Sequence, residues 1–246
     1  MPLSFHTYHS IFIMPKRKYG GGPTRSAKRS RKRVFLKAKR MVRRQARRVM
    51  HSSLAPFAPR YITKLKYCET INFSPGLQSQ DYLFRLNSIF DPNQSGTGHQ
   101  PMGHDQIAPL YSRYRVFRCK WSLVWTSELA AGSTVTVVPT NEATTLHTNV
   151  DAARELPYAQ FKSCHVGSPP IKMNGNVSLP RLNGKTNVQY KTDDKTGALI
   201  GASPSEILML HVIPASADYT ANITGSLTIM LKFYCEFFDP VQLGSS

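Results

Sequence analysis

Sixteen lysine and arginine side chains lie within the first 50 residues, with no aspartate or glutamate among them. They are Lys16, Arg17, Lys18, Arg25, Lys28, Arg29, Arg31, Lys32, Arg33, Lys37, Lys39, Arg40, Arg43, Arg44, Arg47 and Arg48. The chemistry they offer is neutralisation of phosphate: ammonium and guanidinium groups displace counterions from a polyanion and hold its backbone without reading bases. Within the basic stretch the rings able to stack on bases are Tyr19 and Phe35, so base preference is expected to be slight.

Other constellations are weaker. His99 and His104, with Asp105 beside the second, have a spacing that could suit a metal, but a third spaced ligand is missing and the loop holds Gly and Pro, so hydrogen bonding that shapes the loop is the expectation. Gly184-Lys185-Thr186 ends like a phosphate-binding loop, yet the first glycine of that motif would fall at position 179, which is Leu179, and the motif fails. Serine, histidine and aspartate are scattered without a nucleophile elbow, and no carboxylate pair has a glycosidase or nuclease context. The reading is a protein that is not an enzyme and needs no cofactor or metal. Four cysteines, Cys68, Cys119, Cys164 and Cys235, are far apart without a CxxC pair and are expected as reduced, mostly buried thiols.

The elements that position these groups divide sharply by charge. Of the net +18, the excess sits before Glu69, because from there onward 13 basic residues face 14 acidic ones. Residues 1–60 are therefore expected to be a disordered basic arm, closing on the proline-containing hinge Leu54 to Pro59, and residues 61–246 a folded domain. Pro15-Lys16-Arg17-Lys18 and the block Lys28 to Arg33 also fit a nuclear import signal, and a bipartite one is equally possible. Between Val34 and Met50 a helical wheel gathers Val34, Phe35, Ala38, Met41, Val42, Ala46, Val49 and Met50 on one half and the cations on the other. That pattern suits a helix formed on binding, and also a bilayer surface. The order of the first residues, apolar Ile11 to Ile13 and then basic, is the reverse of a secretory signal, and Met14 reads as a natural start. Without secretion the N-x-S/T triplets at Asn72, Asn93, Asn176 and Asn222 are not expected to carry sugar.

The domain reads as strands: Lys64 to Phe73, Tyr82 to Phe90, Val116 to Thr126, Ser133 to Val138, Val177 to Leu182, Thr186 to Lys191, Ile207 to Ile213 and Ser226 to Phe238, with a further short one near Phe161 to Val166. Helices are expected after Asp105, over Gln106 to Tyr111, and after Asn149 or Asp151, over Ala152 to Phe161. Phe117, Cys119, Trp121, Leu123 and Trp125 alternate onto one face, as do Leu227, Ile229, Leu231, Phe233, Cys235 and Phe237; these are core faces. Eight strands with two long loops suit an all-β double-sheet jelly roll better than an up-and-down barrel.

The string Tyr82 to Pro92, then Gly96-Thr97-Gly98-His99-Gln100-Pro101-Met102-Gly103-His104-Asp105-Gln106, then Leu110-Tyr111-Ser112-Arg113-Tyr114-Arg115-Val116 resembles the capsid proteins of circular Rep-encoding single-stranded DNA viruses, the group of the circoviruses. Lysine is more frequent in this arm than in the arms of the best-known circoviruses, which leaves the genus open. The resemblance implies an eight-stranded viral jelly roll of two four-stranded antiparallel sheets, an icosahedral T=1 shell of roughly sixty copies, the packaged single-stranded DNA as ligand (RNA in recombinant particles), nuclear import receptors and a host attachment receptor as partners, and residence in the virion and the host nucleus. It also implies that the first, last, third and sixth strands are neighbours in one sheet. Their outward faces would then bring together Lys64, Lys66, Arg118, Lys120, Lys232 and Tyr234 as a second surface for nucleic acid. Glu69 stands on the core parity of its strand, so a bulge or an early strand end is expected there. The competing readings are a cellular basic DNA- or RNA-binding structural protein, which would spread positive charge over its folded domain as well, and a secreted carbohydrate-binding or cytokine-like jelly roll, which would leave the arm unexplained.

Overall fold

The long apolar alternations of the sequence become the two central strands of the protein. The computed structural model describes residues 57–242 except 74–75, 147–148 and 166. Nine strands follow in chain order: β1 Arg60–Phe73, β2 Tyr82–Arg85, β3 Tyr111–Ser127, β4 Ser133–Thr140, β5 Gln160–Cys164, β6 Ile171–Ser178, β7 Gly197–Leu199, β8 Met209–Ser216 and β9 Gly225–Pro240. One sheet has the order β1-β9-β3-β6, with the short β7 added to β3, and the other has the order β2-β8-β4-β5. Every pairing is antiparallel. Apart from β7 and the step from β4 to β5, which stays within the second sheet, the chain passes from one sheet to the other as it runs, the wrapping that defines a double-sheet jelly roll. The first, last and third strands are the neighbours expected, but the fourth member of that sheet is Ile171–Ser178, not the expected sixth strand Thr186 to Lys191.

The core lies between the sheets. Leu227, Ile229, Leu231, Phe233, Cys235 and Phe237 of β9 are all buried, and so are Cys119, Trp121, Leu123 and Trp125 of β3. Trp125, fully buried, donates its indole N–H to Ser133 Oγ at 2.7 Å, which satisfies the polar atom that such a ring carries into a core. Opposite Trp121 on β6 stands Gly175. A Cβ there would come within 2.5 Å of the indole ring, so the close approach of strand and ring excludes a side chain.

Several sequence expectations are corrected. The stretch Thr186 to Lys191 is a helix, Asn187–Thr192, and not a strand. Its β-branched and aromatic residues suggested extended backbone, but Thr186 and Gln189 form a reciprocal capping box, a T-x-x-Q signal that favours a helix start. Val177 to Leu182 likewise splits: β6 ends at Ser178, and Pro180 opens a short helical turn, Leu179–Leu182, a position that suits a residue without an N–H. The preceding strand went unseen because Lys172, Asn174 and Asn176 fill its outer face. β2 stops at Arg85 and not at Phe90. Beyond it Leu86 and Ile89 stay buried while Asn87 replaces the ladder, donating to Glu206 O at 2.6 Å and accepting from Leu208 N at 3.1 Å. The helix His104–Ile107 is capped by Gly103 at φ 91°, not by Asp105, whereas Asn149 caps Val150–Glu155 as its type suggests, accepting from Ala152 N.

At Glu69 there is neither a bulge nor an early end, since β1 pairs with β9 in unbroken register from Arg60↔Phe238 to Phe73↔Gly225. The half-buried carboxylate is instead held by Asn93 Nδ2, at 3.1 and 3.0 Å from its two oxygens, and by the Tyr67 hydroxyl. A core-facing acid is tolerable once its acceptors are filled. The same loop places the His99 ring against Tyr67, centroids 4.7 Å apart, and His104 Nδ1 3.1 Å from Asp105 Oδ1. Both histidines shape the loop.

All four cysteines are free thiols. Burial pushes the Cys235 thiol up to about 12 and the Cys119 thiol further up, so neither offers a thiolate near neutrality. In native protein an alkylating reagent should modify the exposed Cys68 quickly and Cys119, Cys164 and Cys235 only as fast as the domain unfolds; peptide mass spectrometry over a time course measures this, and fast labelling of Cys119 or Cys235 would contradict the registers given above.

Candidate nucleic-acid interface

The outward face of the first sheet is set by the pleat of three long strands. Along β9 the even-numbered residues point away from the core, and along β1 the even residues do the same. On β3 a bulge between Val116 and Arg118 changes the parity: Arg113 and Arg115 point outward before it, Arg118 and Lys120 after it. The registers then fix which side chains share a row. Lys64, Tyr234 and Arg118 form one row across β1, β9 and β3, and Lys66, Lys232 and Lys120 form the next. Every residue of the proposed surface is thus brought together.

Like charges directly opposite one another on adjacent strands destabilise a sheet. Tyr234 answers part of that repulsion. Its ring lies 5.3 Å from Lys64 Nζ, 5.7 Å from Arg118 Cζ and 5.9 Å from Lys120 Nζ, close enough for its π-face to attract each cation. The one ring of this surface therefore has three cations of its own sheet around it. Among the described residues none of Lys64, Lys66, Arg118, Lys120 and Lys232 is in an ion pair with a carboxylate.

Three further cations stand on the same face, at the end where β1 begins, and sequence reasoning missed them. Arg60, Arg113 and Arg115 occupy the rows of Phe238 and Glu236. Glu236, 2% exposed, lies 3.5 Å from Arg115 and 3.7 Å from Arg60. Arg113 pairs with Asp194 at 3.3 Å, and the guanidinium carbons of Arg113 and Arg115 sit 5.5 and 5.1 Å from the Phe238 ring. Burial presses the Arg115 guanidinium down from its usual range while Glu236 pulls it back; its Nε donates to Thr196 Oγ1 and another nitrogen to Asp193 O, both at 3.2 Å. In this half each arginine has a carboxylate within 4 Å, and the half is partly covered. The bulge hid it, because the spacing Arg113, Arg115, Arg118, Lys120 changes parity at its middle. The signal was present as the one three-residue step in that series.

The face therefore has a paired half and an open half, and the open half presents five unpaired cations to whatever carries negative charge. The sixteen basic residues of the arm lie outside the described residues. Among the described residues no group of three or more His, Cys, Asp or Glu is arranged to hold a metal ion.

No protein-family model and no curated protein matches the chain. Among solved structures the chain is similar to tobacco necrosis virus at 12% identity, with a TM-score of 0.47 over 76% of this chain and 86% of that one. It is similar to the semi-empty virus-like particle of the Macrobrachium rosenbergii nodavirus of the giant freshwater prawn, at 13% identity and a TM-score of 0.43 over 78% and 100%. A third is the decameric BFDV capsid protein, at 13% identity and a TM-score of 0.39 over 72% and 98%.

Replacing Tyr234 by leucine should destabilise the domain by about 1–2 kcal/mol at low ionic strength, the loss of three weak cation–π contacts. The loss should shrink in 1 M salt, where the repulsion that the ring offsets is screened. Tyr234→Phe should be nearly neutral. Denaturant midpoints of the three proteins at two salt concentrations measure the difference.

Proposed function

We propose that this chain is the capsid protein of a small single-stranded DNA virus, a structural protein whose jelly-roll domain self-associates into a shell and whose basic arm binds the packaged genome. The observation that carries the reading is the separation of charge: sixteen cations and no acids in the first 50 residues, against near balance from Glu69 onward. A binding protein that touches nucleic acid with its whole domain would not segregate charge in this way. A near-neutral body lets many identical copies approach, while an arm of one sign suits a polyanion. The jelly-roll order of the sheets supports the same reading, and the string from Tyr82 to Val116 carries the resemblance to circular Rep-encoding viruses. A T=1 shell would hold roughly sixty copies, and their arms would together supply on the order of a thousand positive charges, comparable with the phosphates of a very small genome.

In this reading the open half of the first sheet's face is a second phosphate-binding surface. Lys64, Lys66, Arg118, Lys120 and Lys232 contact the backbone, and Tyr234 orders them without stacking on bases. The segments Pro15 to Lys18 and Lys28 to Arg33 serve import of the protein into the host nucleus, and the attachment receptor is met by loops that the sequence does not identify.

Two experiments separate arm from face. Purified full-length protein should give closed shells in electron micrographs, and protein lacking residues 1–50 should stay soluble but copurify with little nucleic acid at equal salt; undiminished nucleic acid would overturn the role of the arm. Changing Arg118, Lys120 and Lys232 together to neutral residues in the full chain should leave assembly intact and flatten the salt dependence of nucleic-acid retention. About 0.7 of slope is expected per single-strand phosphate contact, hence about 2 in total. An unchanged slope would assign the genome to the arm alone.

A further inference from the structure

His211 lies on β8 with its ring on the outward side of the second sheet, and it is fully buried, as is Asp81 on the segment leading into β2. Its Nδ1 is 2.8 Å from Asp81 Oδ2 and its Nε2 is 3.0 Å from the Glu142 carbonyl oxygen. A carbonyl oxygen can only accept. Asp81 Oδ2 already accepts from the Leu146 backbone N–H at 2.7 Å, so it acts as an acceptor toward the ring as well. A neutral imidazole carries one N–H and could satisfy only one of these partners; the arrangement is complete with an imidazolium, which donates to both.

We propose that protonated His211 is a latch that ties the loop leaving β4, through Glu142 and Leu146, to the second sheet, and that loss of its proton as pH rises frees this loop.

The groups that face the ring favour the charged form. On the segment before β2 stands Asp81, and on the loop leaving β4 stands Glu142. The residues opposite His211 on β2 and β4 are Leu83 and Val138, which carry no charge. Burial by itself would lower the His211 pKa, but the hydrogen bonds to Asp81 and to the Glu142 carbonyl, together with the two negative charges, leave it raised above the ordinary histidine value. The sign follows from linkage: a raised folded-state pKa stabilises fully below the unfolded value of about 6.5 and the contribution fades as pH climbs through the folded value. The latch is thus closed in weakly acidic medium and opens toward the alkaline side, the reverse of a switch in which a buried neutral histidine must charge. Asp81 Oδ1 is buried without a hydrogen-bond partner; once the ring is neutral its single N–H serves either the carboxylate or the Glu142 carbonyl, so the loop is held by one hydrogen bond fewer.

The test uses the intact full-length protein. Exchange of the histidine C2 proton, followed peptide by peptide by mass spectrometry across pH, reports the titration midpoint of His211. Backbone hydrogen exchange in peptides covering 140–146, corrected for the intrinsic rate, reports the loop. The expected result is a His211 midpoint above that of an ordinary histidine, with loop protection falling over the same pH interval. A midpoint at or below the ordinary value, or loop protection that stays flat through it, overturns the proposal. Asp81→Asn should lower the midpoint and abolish the coupled change in protection; should that variant not fold, the two wild-type titrations decide alone.

Discussion

Strand β9 is flanked along its whole length by β1 on one side and β3 on the other, and the two-residue pleat of this one strand sets what both faces of the sheet can be. From Leu227 to Phe237 its odd positions are uniformly apolar and buried, so a shift of register by one residue would exchange a core face for one carrying Lys232, Tyr234 and Glu236. That cost locks β1 and β3 against it. The cations of the neighbouring strands are therefore assembled as a consequence of burying the core, with no separate device to gather them.

Assembly of those cations carries an electrostatic cost that is small for each pair and adds up over the face. Two unit charges about 6 Å apart repel by roughly 0.7 kcal/mol in water and by several times more near a low-dielectric surface. At one end of the face Glu236 and Asp194 offset most of the charge of three arginines, and the 3-10 turn around Asp194 holds Arg113 and Arg115. Among the described residues at the other end, the Tyr234 ring draws Lys64, Arg118 and Lys120 inward and no acid neutralises the five cations. Under the proposed function, an anion bound to such a surface would stabilise it by relieving that repulsion.

Much of the fold was legible because burial leaves a periodic trace. The alternations from Phe117 to Trp125 and from Leu227 to Phe237 gave the central strands, and the strand order carried by the family resemblance brought Lys64, Arg118 and Lys232 to one surface. What stayed hidden was local chemistry that overrides propensity. The Thr186 and Gln189 capping box turned a β-rich hexapeptide into a helix, and Asn87 substituted two side-chain hydrogen bonds for a strand ladder. The bulge after Val116 concealed Arg113 and Arg115, because a single inserted residue inverts every parity before it. The partnership of Asp81 and His211, 130 positions apart, has no trace in the sequence pattern at all: it depends on β8 lying beside β2, and only the three-dimensional pairing supplies that.

The division of charge within the folded domain bears on how copies of the chain can meet. From Arg60 onward the basic residues exceed the acidic ones by two, yet five unpaired cations stand on one half of one sheet face. The remainder of the domain is therefore slightly acidic. Two such domains repel when their open basic halves face each other and meet with little net repulsion through any other part of their surfaces. A polyanion on the basic half removes the first repulsion and leaves the second contact unaffected. Under the proposed function, the charge distribution alone would bias many copies to turn the same face toward a common polyanion while they touch one another elsewhere, and a closed layer with that polyanion on one side would satisfy both conditions at once.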